Sequence, residues 1–374
     1  MSVTSISTQN KYMLWAISAG RCQYRGCTEV LHTDILTKRN FNKSYIAHIV
    51  ADSSGGPRGC ITRSSVLADD ISNLMLLCDT HHRLIDRADI AGHPENLLLE
   101  MKREHEERVA TIFNIGYDKQ SHIVTYNSNI GSHSPNLHYS IVSKAVTPEY
   151  YPAEASNIGL GVAMSLNKDS DPDFWQAEQK SLRQKFDRFL FPRVNSGEIK
   201  HISLFGFAPI PLLIYLGTLV NDITAVDIRQ KRRNPDTWSF ESDEETVYHF
   251  VSDKQKTNVA LKIELSDNIL NERITSVLGD DTTIYTIRID NPDNDFVKSR
   301  KQIVDFGVKM KEAFREIKRI HGQDVILNIF PAMPISLAVQ LGRVWMPKAD
   351  LSMKIYDQNY ALGGFVEAIE ISHT

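Results

Sequence analysis

Residues 22 to 86 carry side chains suited to metal chemistry. Cys22 and Cys27 flank four residues that include Gly26, and Cys78 and His81 flank two. Two short knuckles separated by a long insert are the usual spacing of a closed tetrahedral zinc site. A buried cysteine also serves as a small hydrophobe. Three of the chain's four cysteines fall in the two knuckles, however, and this favours Zn2+ held by Cys22, Cys27, Cys78 and His81. Cys60 has no partner in the pattern and reads as a plain thiol. No disulfide is expected.

A second set lies beside the first. Residues 44–50 read as a strand that carries His48 and ends in a polar loop, 51–59. Residues 70–78 read as a return segment into a helix beginning near Thr80. His82 and Asp86 are four apart on that helix, so they share a face. A strand histidine facing a helix histidine and a carboxylate can hold one divalent ion and one general base. His82 and Asp86 are the expected ligands of Mg2+ or another divalent cation, and His48 is the expected base for a water. Asn73 is expected to hydrogen-bond the loop backbone and set the angle of His48. Asp52 is a further, weaker carboxylate candidate. The set as a whole points to phosphodiester hydrolysis.

The elements that must position these residues follow from length and pattern. At 374 residues the chain should form two to three domains, each able to bury a core. Hydrophobic content of 42% and charged content of 24% are ordinary for a globular protein. A net charge of −4 argues against a globally basic DNA-binding protein, so nucleic-acid contact must come from local patches. Arg58 and Arg63 near the His48 loop, and Arg83 and Arg87 on the metal helix, are candidates; a solvated charged face is the alternative. No apolar run reaches membrane-spanning length, and the start lacks a signal-peptide layout. Free thiols and a zinc site fit a reducing cytoplasm.

Residues 94–110 read as a helix opened by proline. Residues 116–152 are polar and read as a connector with strand content at 123–126 and 138–142. The expected domains are therefore 1–115, the connector 116–152, and 153–374. The last contains an internal repeat. Phe205, Pro209, Ile210, Leu212, Leu216 and Gly217 align without a gap with Phe330, Pro334, Ile335, Leu337, Leu341 and Gly342. Each copy reads as a strand, a proline turn, a helix ending in Leu-Gly and a second strand, near 225–229 and 351–356. Apolar strands of this kind suggest parallel strands buried on both faces. Two Rossmann-like α/β halves, about 153–295 and 296–374, are expected.

Two such halves about a pseudo-two-fold would share a crevice at strand C-termini and helix N-termini, where phosphate is favoured. Pro334, Ser336 and Leu337 should line it from one repeat, and Pro209 and Pro211 from the other. Trp175 and Tyr356 are stacking candidates. Arg193, Arg229, Lys231 and Arg232 are possible phosphate partners or a solvated surface. A dinucleotide glycine fingerprint and a P-loop are absent, and there is no second acid–base cluster. A sensor of a phosphorylated ligand fits this half better than a second enzyme.

The region from about Leu14 to Glu107 resembles the HNH endonucleases, with their ββα-metal fold. His48, Asn73 and His82 match the family's three signature positions, within Asn73-Leu-x2-Leu-Cys78-x2-His81-His82. The chain departs at Ala47, where the family often has a metal ligand, and at His81, where it has Cys. Over nearly its whole length the chain resembles the HNH–SAVED effectors of CBASS anti-phage signalling, with a SAVED half of two CARF-like units. That resemblance rests on Leu14-Trp15 to Arg21-Cys22, the HNH set, and the segment Pro334 to Gly342. It implies activation by a cyclic di- or trinucleotide, degradation of double-stranded DNA in abortive infection, and a homo-oligomer, a dimer assembling further on activation. Alternatives from other classes are a non-cleaving zinc DNA-binding module coupled to a nucleotide sensor, and a nucleotide-processing enzyme with an accessory zinc unit.

Overall fold

The structure, a computed structural model, describes residues 5–34, 36–130, 137–161, 171, 173–221, 223–252, 255–359 and 363–372. The chain divides into two units, residues 1–117 and 118–374.

The first unit begins with helix α1 (Thr8–Ile17), whose N-cap Ser7 side chain accepts the Asn10 N–H. Strand β1 (Ser44–His48), the single turn α2 (Ser64–Leu67), strand β2 (Leu74–Cys78) and helix α3 (Asp79–Arg83) follow. A π-helical turn, Leu84–Ala88, continues α3, and α4 (Glu95–Phe113) closes the unit. β1 and β2 pair antiparallel, with His48 opposite Leu74 and Ser44 opposite Cys78. Every residue of β2 is buried. It threads a core of Leu14, Leu31, Ile49, Ile85, Leu98 and Met101. Apolar burial on both faces thus fixes the strand that delivers Cys78 to its C-terminal end. α3 starts at Asp79, one residue before the sequence expectation, with that carboxylate in its positive first turn.

The second unit opens with strand β3 (Gln120–Asn127), α5 (Tyr139–Val146) and two short strands, β4 (Tyr151–Pro152) and β5 (Ile158–Gly159). α6 (Phe174–Lys185) runs through a π turn into α7 (Phe191–Asn195). Then come β6 (His201–Phe207), α8 (Ile210–Leu219) and β7 (Ala225–Arg229). The sheet order is β4-β3-β6-β7, all parallel, with β5 also against β3. A second sheet takes up β8 (His249–Val251), β9 (Asn258–Glu264), β10 (Thr282–Arg288), β11 (Leu327–Ala332), β12 (Met353–Asn359) and β13 (Gly364–Ile371). Its order is β13-β12-β11-β9-β10-β8, parallel except at its two edges. The helices between are α9 (Asn271–Leu278), α10 (Arg300–His321) and α11 (Ile335–Val344).

The trio β3-β6-β7 has the same order and parallel sense as β9-β11-β12. α8 and α11 join the second and third strands of each trio. The two trios thus share one topology, and their strands do not fall into the sequence division into 153–295 and 296–374. β3, the first strand of copy one, runs through the stretch read as a connector. β9, the first strand of copy two, precedes residue 296. The expected strand at 138–142 is instead the start of α5. Its apolar residues recur at helical spacing, with Val142, Ala145 and Val146 buried on one face.

The repeated Leu-Gly pairs do not end their helices. α8 continues to Leu219 and α11 to Val344. The glycines are instead where these two helices touch. A Cβ on Gly217 would lie 2.1 Å from the Val339 carbonyl oxygen, and one on Gly342 would lie 1.9 Å from that of Ile214. Only a residue without a side chain admits this approach.

Candidate functional site

The closed site assembles from three backbone features. Gly26, at φ +82°, turns the chain so that the Cys27 N–H reaches the Tyr24 carbonyl at 2.9 Å. β2 ends at Cys78, and His81 lies in the short helix that follows. The ligand atoms of Cys22, Cys27, Cys78 and His81 all lie within 4.8 Å of one another. His81 Nδ1 is 3.1 Å from Cys78 Sγ and 3.6 Å from Cys22 Sγ. Burial pushes the Cys22 and Cys78 thiols up and the His81 imidazole down. Three thiols and one imidazole converging in a core are the donor set that a tetrahedral zinc ion takes. Tyr24 was not singled out from the sequence. Its ring stacks on His81 at 4.1 Å and 7°, and its hydroxyl is 2.9 Å from His93 Nε2. The available signal was an aromatic residue between the two knuckle cysteines. Cys60 lies apart from this set, and Thr62 lowers its thiol to about 6.

The residues expected to form the open site lie on the β1–β2 pair and on α3 with its π-helical continuation, and, unlike the first set, the ligand atoms of His48, His82 and Asp86 do not all lie within 4.8 Å of one another. His48 ends β1, and its Nε2 is 2.9 Å from the Ala68 carbonyl oxygen. A carbonyl can only accept, so this nitrogen carries the proton and Nδ1 is the ring's acceptor. Asn73 ties down the chain just past His48. Its Oδ1 accepts from the Val50 N–H at 2.8 Å, and its Nδ2 donates to the Val50 and Leu67 carbonyls at 2.8 and 3.1 Å. His82 Nε2 lies 3.4 Å from Asp86 Oδ2, and Asp86 sits in the π-helical turn. Burial lowers the His82 imidazole, with Asp86 opposing. Tyr45 stacks on His82 at 4.8 Å and 13°. Ala47 is buried in the core.

Asp86 is not an unencumbered ligand, because Arg58 Nη2 donates to its Oδ1 at 2.7 Å. The same guanidinium donates to the Ile49 and Ile85 carbonyls at 2.6 and 2.8 Å. Arg58 is thus a buried tie between loop and helix rather than a phosphate contact. Arg63 is paired with Glu95 and Arg83 with Asp79. Arg63, Arg83 and Arg87 are all exposed, and among the described residues Arg87 is the one of the three without an ion pair. Among the described residues, one other group could hold a cation: His122, Glu154 and Glu198. Arg193 already donates to both of its carboxylates.

In the second unit the expected crevice is filled. Pro209, Pro211, Pro334, Ser336 and Leu337 are buried. Gln230 Oε1 takes both donors of Ser336, the hydroxyl at 2.6 Å and the N–H at 3.1 Å. Arg229 is buried against Asp227 at 2.7 Å and Glu149 at 3.2 Å. Arg232 is paired with Glu241, and Lys231 with Asp236. Tyr356 stacks on Phe330 at 4.4 Å and donates to Asn328 at 3.1 Å, so it is core. Trp175 packs edge-on against Phe174 beside the main core. The open space lies one element away. A cavity of about 310 Å3 between α5 and the segment after β7 is lined by Ser140, Lys144, Lys231, Trp238 and Ser239, among others. Lys231 Nζ stands 5.9 Å from the Trp238 ring centre. Lys144 was missed because it belongs to the segment read as a connector, and Trp238 because it lies in a segment to which no element was assigned.

Residues 182–371 match the family model for SAVED, described as an SMODS-associated sensor domain fused to various effectors. Among curated proteins none matches this sequence. Solved structures to which the chain is similar include the Acinetobacter baumannii Cap4 SAVED/CARF-domain containing receptor with the cyclic trinucleotide 2′3′3′-cAAA. It is 12% identical with a TM-score of 0.44, covering 74% of this chain and 55% of that one. The same receptor with 3′3′3′-cAAA gives 14%, 0.42, 74% and 59%. The Moraxella osloensis Cap4 receptor gives 14%, 0.39, 74% and 58%. The chain thus spans less than two thirds of the length of these receptors.

Proposed function

The chain belongs to the SAVED family of sensor domains, and from that premise we propose that it is a cyclic-oligonucleotide-activated, metal-dependent DNA endonuclease of anti-phage defence. A family whose sensor is fused to various effectors supports reading the first unit as the effector. The observation that carries the nuclease reading is the geometry around His48. Its Nδ1 is the ring's acceptor, the adjoining chain is pinned by Asn73, and His82 and Asp86 stand 3.4 Å apart on the neighbouring helix.

In this reading Cys22, Cys27, Cys78 and His81 hold a structural Zn2+, whose binding energy contributes to the folding of the first unit. His82 and Asp86 would hold a catalytic cation, Mg2+ or a similar ion. Such an ion supplies charge neutralisation at the phosphate and at the leaving oxygen. His48 Nδ1 takes the proton from the attacking water. The hydrogen bond from Nε2 to the Ala68 carbonyl fixes that tautomer and favours the imidazolium that forms. Exposed Arg87 contacts the backbone of double-stranded DNA.

The activator is a cyclic di- or trinucleotide. Its expected seat is the cavity between α5 and the segment after β7, where Lys144 offers charge, Lys231, paired with Asp236, lies against the Trp238 ring, and Ser140 and Ser239 offer hydroxyls. Incubating plasmid DNA with the protein and Mg2+, with and without cyclic di-AMP, cyclic di-GMP and cyclic tri-AMP, tests the whole reading. Cleavage only with both metal and one of these nucleotides is the expected result. Two observations favour the non-cleaving DNA-binding module as a second reading: Ala47 offers no ligand, and Arg58 holds one oxygen of Asp86. Nucleotide-dependent DNA binding without cleavage would be its signature.

A further inference from the structure

Arg58 is tied down at backbone and side chain alike. Its φ is +56°, in the left-handed region that few residues other than glycine adopt. The loop around it closes on itself, because the Ala51 N–H donates to the Pro57 carbonyl at 3.1 Å. The side chain turns inward and is 7% exposed. Every nitrogen of the guanidinium finds an acceptor there. Nε donates to the Ile49 carbonyl at 2.6 Å, and Nη2 to Asp86 Oδ1 at 2.7 Å. Nη1 donates to the carbonyls of Ile85 at 2.8 Å and His93 at 3.4 Å. A non-glycine residue stays left-handed only where its surroundings over-determine it, and such positions cluster at functional sites.

Two of these acceptors bear on the open site. Ile49 directly follows His48. Its N–H donates to the Asn73 carbonyl at 2.8 Å, so with Arg58 on its own carbonyl both of its backbone polar groups are fixed. Asp86 lies four residues beyond His82. With Oδ1 held by Arg58, its carboxylate is not free to turn, and Oδ2 is the oxygen that faces His82 Nε2 at 3.4 Å. One planar fork therefore fixes both the backbone that carries His48 and the oxygen that Asp86 offers. A lysine ammonium is a point charge and lacks that fork. Arg63, on the same loop, makes a contrast. It also pairs with a carboxylate through two nitrogens, but that carboxylate is Glu95, at the surface and outside the site.

We propose that Arg58 is a positioning residue of the open site, which presents a single oxygen of Asp86, Oδ2, to the divalent cation while holding the backbone beside His48. This inference rests on the reading of the first unit as a metal-dependent nuclease. The Arg58–Asp86 pair then serves that reading, because it aims one carboxylate oxygen by engaging the other.

Titrating the zinc-loaded full chain with Mn2+, without DNA or nucleotide, and following free Mn2+ by electron paramagnetic resonance tests it. Asp86→Ala identifies the site as the Mn2+ that this variant loses. Arg58→Lys, which keeps a cation beside Asp86 but not the fork, should weaken that Mn2+ by about 10–100-fold, the usual cost of losing an outer partner of a metal ligand. Arg58→Gln should weaken it as well. Arg63→Gln, which breaks a surface tie of the same loop, should leave it unchanged. Thermal melting of each variant establishes that it is folded, and Arg58→Lys decides the matter where Arg58→Gln does not fold. Unchanged Mn2+ affinity in a folded Arg58 variant overturns the proposal, reduces Arg58 to a loop tie and leaves the nuclease reading standing. Tighter Mn2+ in Arg58→Gln also overturns it, since the guanidinium would then be a competitor for Asp86, as the non-cleaving reading requires. Absence from wild type of any Mn2+ that Asp86→Ala removes overturns the metal reading of the first unit together with the inference.

Discussion

His48 has one ring nitrogen committed to the Ala68 carbonyl and one left to accept a proton. Replacing it removes an acid–base group and no zinc ligand. His48→Ala should therefore lower DNA cleavage by about 10²–10⁴-fold, with the fold and nucleotide binding retained and stability reduced by about 1–3 kcal/mol for the loss of the buried hydrogen bond to Ala68. Plasmid nicking and calorimetry read both. The adjacent histidines divide differently. His81 turns Nδ1 toward the thiols, while His82, one position on and so rotated about 100° around the helix, meets Asp86. Cys78→Ser should release zinc and unfold the first unit, whereas His82→Ala should keep zinc and lose activity. Metal analysis with circular dichroism separates them, and equal zinc loss in both would reverse the assignment. The convergence of Cys22, Cys27, Cys78 and His81 was legible because each knuckle is local in sequence. The fate of the arginines was not. Arg58 meets Asp86 across 28 residues, and no local pattern reports such a partner. Burial also leaves a pH signature. His105, His122 and His201 are all held below the ordinary 6.5 chiefly by desolvation. The unfolded chain then binds more protons than the folded one as pH falls through 6.5, so stability is full above that value and declines below it. Melting temperatures between pH 7.5 and 5 should fall toward acid, and His201→Gln should flatten the slope.

At the scale of elements, the strand–turn–helix repeat was visible because its apolar residues recur in register. Its meaning was not, since a glycine near a helix end reads equally as a cap and as a crossing point. Gly217 and Gly342 are crossing points, with backbone on the far side that cannot rotate away as a side chain would. Gly342→Ala should cost about 3 kcal/mol, the upper part of the range for overpacking. Gly217→Ala should cost a similar amount, and the double variant less than the sum because both changes separate the same pair of helices. Denaturant titration of the three variants measures this, and a Gly342→Ala midpoint equal to wild type would contradict the crossing geometry. The same ambiguity explains α5. Residues 138–142, taken alone, are a short apolar run that suits either a strand or a helix. Only the continuation to Val146 and the burial of Val142, Ala145 and Val146 on one face decide it. Once α5 and β3 are assigned to copy one, most of the stretch read as a connector belongs to the second unit.

At the scale of the molecule, the proposed activity constrains its own control. A nuclease that cut chromosomal DNA constitutively would kill its host, so the resting protein should be inactive on DNA. A net charge of −4 is consistent with weak non-specific attraction to DNA in the absence of a signal. One ββα-type site cuts one strand, so cutting a duplex through favours two such sites brought together. In a symmetric assembly a ligand does this only if it binds the assembled form more tightly than the separated one. To take assembly from about 1% to about 99%, the ligand must favour the assembled form by roughly 10⁴-fold. The activating nucleotide should therefore increase the mass of the protein in solution, from a dimer to a larger oligomer, over the same concentration range that switches on cleavage. Light scattering with and without nucleotide gives the mass directly, and a parallel plasmid assay gives the activity. His48→Ala should assemble like wild type and stay silent. Full activation at unchanged mass would instead place the switch within a single chain.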